Sequence, residues 1–497
     1  MKNLKFPSAQ TILFIIAGLV TLLTWFIPAG KYDTLSYDSA TDKFTRLSLD
    51  KEISLDASQV SLDDLNINIP IEKFTNGDIY KPINIPGTYN KLDAKPQNFF
   101  DFITSPIKGI IEAADIIFLV LIIGGLIGVL NKSGAFDAAI GQLATVLKGR
   151  ESLLIVLVTS LVALGGTTFG FAEETIAFFP ILIPVFLAAE YDAMVGVASI
   201  FLGSAIGTMC STINPFSTII ASDAAGISWT TGLYGRIFML LLCLSITVIY
   251  IMRYAKRVKN DPTKSLIFDQ RHEIAELFAL KDSSNINFNW RLKLALFIFT
   301  CSFILMIIGV SMLDWWFIEM TTVFLVGAIL IGFIIQISEA EFIETFVKGA
   351  GDLLGVALII GIARGVTVLM TDGLISDTLL YYASDITTGM NKGVFAGSMT
   401  MIYSGLSFFI PSSSGMAVLT MPIMAPLADT VGVGREVVVN TYQYGLGLFY
   451  LINPTGLILA SLAVAKINFS KWLKFIMPLF ILLIIVTLTV LAVSSYL

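Results

Sequence analysis

With 497 residues, 56% of them hydrophobic and 14% charged, and a mean hydropathy of +0.83, the chain is far more apolar than soluble proteins, whose charged fraction is about 25%. It reads as an all-α polytopic membrane protein; its net charge of −6 says little about partners, and nucleic acid is not suggested. Cys210, Cys243 and Cys301 lie in apolar runs without metal-ligand spacing, and the sole histidine, His272, sits in a charged stretch; a disulfide framework, a zinc site and a histidine relay within the membrane are thereby disfavoured.

Lys2 and Lys5 precede a first apolar run from Thr11 to Pro28, so the positive-inside rule places the N-terminus in the cytoplasm of a bacterial cytoplasmic membrane. The run is too long for a usual signal-peptide core and lacks a small-residue cleavage pattern. Residues 31–98 are polar, with alternating pieces such as Ile67-Asn68-Ile69-Pro70, and predict an extracytoplasmic insertion of strands or loops. A span from Ala113 to Leu130 follows, its Gly124, Gly125 and Gly128 allowing close helix approach. The connection from Asn131 to Arg150 should be amphipathic and cytoplasmic.

From Ser152 to Leu164 and from Ile176 to Ala189 the chain is apolar, and the intervening Gly165–Thr175 segment is polar and glycine-rich. Neither arm comfortably reaches the roughly 20 residues of a full span, which predicts a re-entrant hairpin. Two ordinary helices joined by a loop are the alternative. Next comes a run from Ala193 to Ala225 interrupted by Ser211-Thr212-Ile213-Asn214-Pro215. Pro215 lacks an amide hydrogen, so the helix should break there, and freed backbone at membrane depth is tolerated where it faces protein or a polar cavity. A span from Tyr234 to Ile251 leads into a basic cytoplasmic connection holding Arg253, Lys256, Arg257, Lys259 and further lysines and arginines, the strongest orientation marker in the chain.

After a linking span (Leu294 to Val310), the same order returns. Spans near Thr322–Ile337 and Gly351–Met370 precede a second hairpin (Val394 to Ala428) with its tip at Ile410-Pro411-Ser412-Ser413-Ser414-Gly415. A second broken helix (Glu436 to Ala465) contains Asn453-Pro454-Thr455, and a last span covers Phe475 to Val493. Short echoes agree: Leu121-Ile122-Ile123-Gly124 with Leu358-Ile359-Ile360-Gly361, and Asn214-Pro215 with Asn453-Pro454. One extra span between the halves makes them inverted repeats, with about nine spans and two re-entrant hairpins in all. The predicted divisions are 1–254 with its insertion at 31–98, the connection and linking span at 255–318, and 319–497.

Paired broken helices of this kind point to a transporter's binding site near the midplane. Candidate substrate ligands are Thr168, Glu173, Glu174, Asn214, Arg364, Ser412, Ser413, Ser414, Asn453 and Thr455. Ser211, Thr212, Asn214 and Asn453 offer oxygens for a sodium ion. Carboxylates within a bilayer are costly, so Glu173 and Glu174 read as cation ligands, proton carriers or partners of a substrate ammonium, or else as solvated loop charges. Arg364 suits a substrate carboxylate or a structural acid. No nucleotide-binding motif supports ATP-driven transport. A membrane enzyme using the two glutamates and a channel are the competing classes.

Ile27-Pro28-Ala29-Gly30, Phe169-Gly170-Phe171-Ala172-Glu173-Glu174-Thr175, Asn214-Pro215-Phe216-Ser217, and Pro411-Ser412-Ser413-Ser414-Gly415 followed by Met421-Pro422-Ile423 resemble the YfcC branch of the DcuC-like anaerobic C4-dicarboxylate carrier family. The resemblance covers nearly the whole chain. It implies the ion transporter superfamily, with a scaffold, a mobile transport domain, usually a homodimer, and an elevator-like cycle. It also implies a C4-dicarboxylate or an amino acid, basic ones included, as substrate, with no cofactor beyond a coupling sodium ion or proton. Gly445-Leu446-Gly447 stands where the family pattern often carries an acidic residue, which leaves a second cation site without its ligand. Because paired glutamates would repel a dianion, the residues favour an amino acid or similar zwitterion.

Overall fold

The structure, a computed structural model, describes residues 7–496 except 50, 78, 80, 136–149, 279–288, 314, 388 and 411. Lys2, Lys5, most of the 131–150 connection, Lys281 and Pro411 therefore lie outside the described residues. Helix α1 (Ala9–Phe26) starts at Ser8, whose hydroxyl accepts the Thr11 amide. It stops at Ile27, where Pro28 disfavours helical backbone in the residue before it.

The insertion is a small folded unit. Strands β1 (Gly30–Lys31), β2 (Thr34–Asp38), β3 (Lys43–Ser48), β4 (Lys51–Asp56), β5 (Ile83–Asn84) and β6 (Asn90–Lys91) form an antiparallel sheet in the order β4-β3-β2-β5 and a β1-β6 ladder. Helices α2 (Gln59–Asp64) and α3 (Glu72–Thr75) close it, and Leu35, Phe44, Phe74 and Ile83 bury their side chains beneath them. Ile67-Asn68-Ile69-Pro70 lies in the loop between α2 and α3. Its two isoleucines are buried without a partner strand, so here the alternation marks burial rather than pairing.

The rest of the described chain is almost wholly helical. A 14-residue helix α4 (Phe99–Glu112) leads into α5 (Ala114–Ser133). Next come α6 (Ser152–Phe169), a 3-10 turn (Glu173–Phe178) and α7 (Phe179–Ala188). The first interrupted helix is α8 (Ala193–Met209), a π-helical turn (Pro215–Ile219) and α9 (Ile220–Ala224), followed by the long α10 (Leu233–Asn260) and the short α11 (Arg271–Leu277). Beyond it lie α12 (Trp290–Met312), α13 (Phe317–Ile335), α14 (Glu339–Asp352), α15 (Leu354–Asp372) and α16 (Ser376–Thr387). The chain ends with α17 (Lys392–Phe409), α18 (Ser413–Val431), the interrupted pair α19 (Arg435–Tyr450) and α20 (Ile458–Val464), and α21 (Phe469–Ser494).

Among the described residues nine helices are long and apolar enough to cross a bilayer, and the chain is a multi-pass membrane protein. The number matches the sequence expectation, but the membership differs. Helix α6, expected as a short hairpin arm, and α18, expected within the second hairpin, reach spanning length at 18 and 19 residues, while both interrupted helices fall short of it. Residues Gly165–Phe169, expected in the hairpin turn, continue α6, and the turn itself is compressed into Gly170, Phe171 and Ala172.

The order of elements recurs with closely matched lengths. Helices α4 and α14 both have 14 residues, α6 and α17 both have 18, and α8 and α19 have 17 and 16. Packing recurs as well: α4 lies against α15 while α14 lies against α5. Helices α1, α4, α5 and α12–α15 form one packed group, and α6–α10 with α17–α21 form a second.

The α4–α15 contact depends on small residues. A Cβ on Gly109 would stand 2.3 Å from both the Gly361 carbonyl oxygen and the Gly365 amide nitrogen, so backbone meets backbone there with no room for a methyl group. We expect Gly109→Ala to cost about 1–3 kcal/mol through overpacking. In detergent it should lower the unfolding temperature clearly, whereas Gly351→Ala on α14, whose added Cβ meets nothing within 4 Å, should not.

Candidate functional site

The first helix break is tied down by the end of α6 beside it. After Met209 the backbone leaves the helix, and the Thr212 amide donates to Thr167 Oγ1 at 2.9 Å and the Ile213 amide to the Thr167 carbonyl at 3.2 Å. Thr167 Oγ1 also lies 3.1 Å from Thr212 Oγ1 and 3.2 Å from the Cys210 carbonyl oxygen. Asn214 Nδ2 donates to the Gly166 carbonyl at 3.4 Å, while its Oδ1 accepts the Phe216 amide at 2.8 Å. Pro215 thus opens the new helical segment, a position where its missing N–H leaves nothing unpaired, and the break falls on Cys210–Asn214 just before it. Gly170, with φ of +78°, allows the turn to pass close over Asn214, for a Cβ there would meet Asn214 Nδ2 at 2.8 Å.

The second break uses the same device. Asn453 Nδ2 donates to the Ser407 carbonyl at 3.0 Å and Asn453 Oδ1 accepts the Thr455 amide at 3.0 Å. Thr455 Oγ1 completes the clip on the Phe408 carbonyl oxygen at 3.0 Å. Both asparagines are 1% exposed, and each side chain holds a break against the end of the neighbouring helix, α6 or α17. The two interrupted helices meet immediately ahead of their breaks, where a Cβ on Gly447 would come within 2.3 Å of Met209 Cβ.

The second hairpin tip joins this assembly. Ser412 caps α18 by accepting the Gly415 amide at 3.2 Å, Ser413 Oγ donates to the Phe216 carbonyl at 3.2 Å, and Tyr442 OH donates to the Ser413 carbonyl at 2.7 Å. Ser211 Oγ bonds Thr218 Oγ1, which also accepts from Gln443 Nε2. Among the described residues, Gln443 Oε1 and Ser217 Oγ are buried beside these groups without a hydrogen-bond partner, two oxygens suited to a cation or water.

Glu173 and Glu174 open the 3-10 turn at the first tip, half-buried, with Glu174 Oε2 accepting the Ala172 amide at 3.1 Å. That turn packs against α5 of the first group and α20 of the second. Arg364 approaches from α15, its charge within electrostatic reach of Glu173 and its Nε 3.9 Å from Glu112 Oε2. Of the residues singled out from sequence, Thr168 stands apart: its hydroxyl donates at 2.6 Å to the Leu164 carbonyl of its own helix. Thr167 makes the inter-element bonds instead. The sequence reading passed over Gln443, Tyr442 and Thr218, polar residues embedded in apolar helix that only packing places together. It also passed over Lys81, whose Nζ donates to Ser414 Oγ at 2.8 Å from the distant insertion.

Residues 6–496 match the family profile described as DcuC, C4-dicarboxylate anaerobic carrier. The chain belongs to the DcuC family. This is a family of carriers, not of enzymes. An uncharacterised Haemophilus influenzae protein is 44% identical over all of the chain and 98% of its own length. The YfcC protein of Escherichia coli K12, a putative basic amino acid antiporter, is 30% identical, with 94% of the chain and 92% of the relative covered. Solved structures with similar outlines are the Alcanivorax borkumensis YdaH transporter, at 13% identity, TM-score 0.40 and 98% of each chain, and Neisseria gonorrhoeae MtrF, at 15%, 0.41, and 99% of this chain and 96% of that one. The duplicated asparagine clips of this DcuC member give a stability test. We expect Asn214→Ala and Asn453→Ala each to cost about 1–3 kcal/mol, since freed backbone carbonyls stay buried. Thr168→Ala should change stability by less than about 0.5 kcal/mol, and thermal unfolding in detergent reads both effects.

Proposed function

We propose that this DcuC-family chain is a secondary active transporter of a small carboxylate-bearing metabolite, an amino acid or similar zwitterion. The observation that carries the reading is the gathering of two clipped helix breaks, each held by a neighbouring helix end, with the Glu173–Glu174 turn packed between α5 of one helix group and α20 of the other. Such a set offers anionic groups to an ammonium, a guanidinium to a carboxylate, and neutral oxygens from Ser211, Thr212, Asn214 and Asn453 to a coupling sodium ion. A proton carried by a glutamate is the other coupling ion the residues suit, and exchange of substrates is the other driving arrangement.

In this reading the halves are inverted repeats, 1–254 and 319–497, and the second helix group carries the site across the membrane in an elevator-like motion against the first. The N-terminus is cytoplasmic, the 31–98 insertion extracytoplasmic, and the protein a homodimer. The name of the YfcC relative, a putative basic amino acid antiporter, supports an amino acid substrate; the family description supports a C4-dicarboxylate as the second reading. The glutamate pair favours the first, because two carboxylates repel a dianion.

Counterflow in proteoliposomes tests the class. A carrier accelerates exchange of labelled for unlabelled substrate, a channel does not, and an enzyme alters the compound. With an exchanged amino acid in hand, Glu174→Gln and Arg364→Gln should each reduce the rate at least about tenfold, roughly one charge-assisted hydrogen bond, with unfolding temperatures unchanged. Wild-type rates in both variants would remove these side chains from the site.

A further inference from the structure

We propose that the 31–98 insertion is a latch between the two helix groups: it grows from the first, docks on the second through the Lys73–Asp223 ion pair, and lets go each time the second group moves. The inference goes beyond the substrate reading above and rests on its premise that one group moves against the other. The insertion leaves and re-enters the first group at one place. Trp25 Nε1 donates to the Gln97 carbonyl at 2.8 Å and the Gln97 amide to Thr24 Oγ1 at 2.9 Å, so both ends of the unit are stitched together at the end of α1. The β1-β6 ladder continues this stem, and the Gly30 amide donates to the Leu374 carbonyl, just past α15, at 2.9 Å. Helices α1 and α4, into which the stem runs, both pack on α15.

The body of the insertion lies on the second group. Strand β5 packs against α18, where Ser414 Oγ accepts from Lys81 Nζ at 2.8 Å. Lys73 Nζ reaches Asp223 Oδ1 on α9 at 2.9 Å, and that carboxylate is fully buried. Just beyond, Gly226 has a φ of +71° and leaves no room for a Cβ, which would run into the Asn68 carbonyl oxygen, so a loop of the insertion rests directly on the end of α9. Arg435 ties this seat to the frame of its own group: Nη1 donates to the Ala225 carbonyl at 2.8 Å and Nε to Asp429 Oδ2 of α18 at 3.0 Å. The same body covers α16, the segment that joins α15 to α17, with Asp377 accepting the Tyr32 amide at 3.0 Å and the Tyr89 ring stacked on Tyr381 at 4.2 Å.

The contacts made through the insertion differ in kind from those the groups make directly. Where helix meets helix, aromatic rings touch: Phe178 stacks on Phe303 at 5.0 Å, and Phe216 meets Trp316 edge-on at 4.8 Å. Such surfaces can slide and re-pair, because dispersion has no fixed partner. A buried ion pair is all or none, since drawing Lys73 away strands a carboxylate inside the protein. Displacing the second group therefore meets its sharpest resistance at Asp223. This residue stands on α9, which continues directly from the π-helical turn after the first break, so the latch grips the segment that bears the candidate site.

The test uses the full-length protein in proteoliposomes, with L-arginine and succinate as counterflow substrates and a short bis-thiosulfonate as a reducible crosslinker. Lys73→Cys combined with Asp223→Cys removes both partners of the pair together, so no lone charge is left buried. Asn68→Cys with Ala425→Cys, which line one crevice between the insertion and α18, gives an independent second crosslink should the first variant fold poorly. Crosslinking either pair should lower counterflow at least about tenfold, and reduction should restore it, because a body tied to both groups holds them still. A crosslinked protein that exchanges at its reduced rate overturns the proposal, since the insertion then travels with the second group. A separate readout needs no transport: adding Lys73→Gln and Asp223→Asn to the Asn68–Ala425 cysteine pair should slow its crosslinking at least about threefold, as the docked state becomes less populated. An unchanged crosslinking rate overturns the ion pair as the latch. A wild type that exchanges neither compound counts against the carrier reading instead, and is seen before any crosslink is made.

Discussion

Peptide groups released by a helix break inside an apolar protein must find partners, and this requirement organises the second helix group. Water is scarce at such depth and an orphaned carbonyl is expensive. Asn214 and Asn453 answer the problem in the same way: the amide nitrogen reaches back to a carbonyl near the end of a neighbouring hairpin arm, and the amide oxygen accepts the N–H two residues onward. Each interruption is therefore inseparable from its hairpin. Helices α6 and α7 both lie on α8, and α17 and α18 both lie on α19.

That pairing explains why small residues cluster where they do. Bringing a hairpin arm close enough for Thr167 to bond the broken segment needs α6 and α8 nearly in backbone contact. Gly207, where a Cβ would lie 2.3 Å from the Ala163 carbonyl oxygen, makes that approach possible. The crossing of α8 and α19 at Met209 and Gly447 then brings the two interruptions into one neighbourhood. Local chemistry at two asparagines and a few glycines thus propagates into the arrangement of a whole helix group.

The sequence made the apolar spans, the duplicated Asn-Pro pairs and the glycine-rich first tip legible, because each has a local cause: length of apolar run, a missing amide hydrogen, a positive φ. Helices α4, α14 and α16 were not anticipated. They are short, of 14, 14 and 12 residues, and polar on part of their surface, so no apolar run announces them. The expected break with Ser211, Thr212 and Asn214 ahead of Pro215 is found at Cys210–Asn214, since proline disrupts the turn before it and is comfortable as the first residue of the next. Thr167 and Thr168 are indistinguishable by type. Only their rotation about α6, roughly 100° apart, decides which faces the break. Lys81 and Ser414 are separated by more than three hundred residues, and nothing local to either signals the other.

The distribution of charge across the groups bears on what the site can accept. Glu173 and Glu174 belong to the helix group built around the breaks, Arg364 belongs to the other group, and Lys81 belongs to the insertion, which continues covalently into α1 and α4 of the latter. Glu173 and Glu174 thus sit on a different helix group from Arg364, whose Nε lies 3.9 Å from Glu112 Oε2 of its own group. On the proposed reading, a molecule with both an ammonium and a carboxylate bridges them, its cation towards the glutamates and its anion towards Arg364. A dicarboxylate meets only the cationic side and leaves the glutamates facing like charge. Such a substrate would have to bring a cation or a proton with it, so the dependence of transport on sodium and on pH differs between the two substrate classes for a reason already present in where these side chains lie.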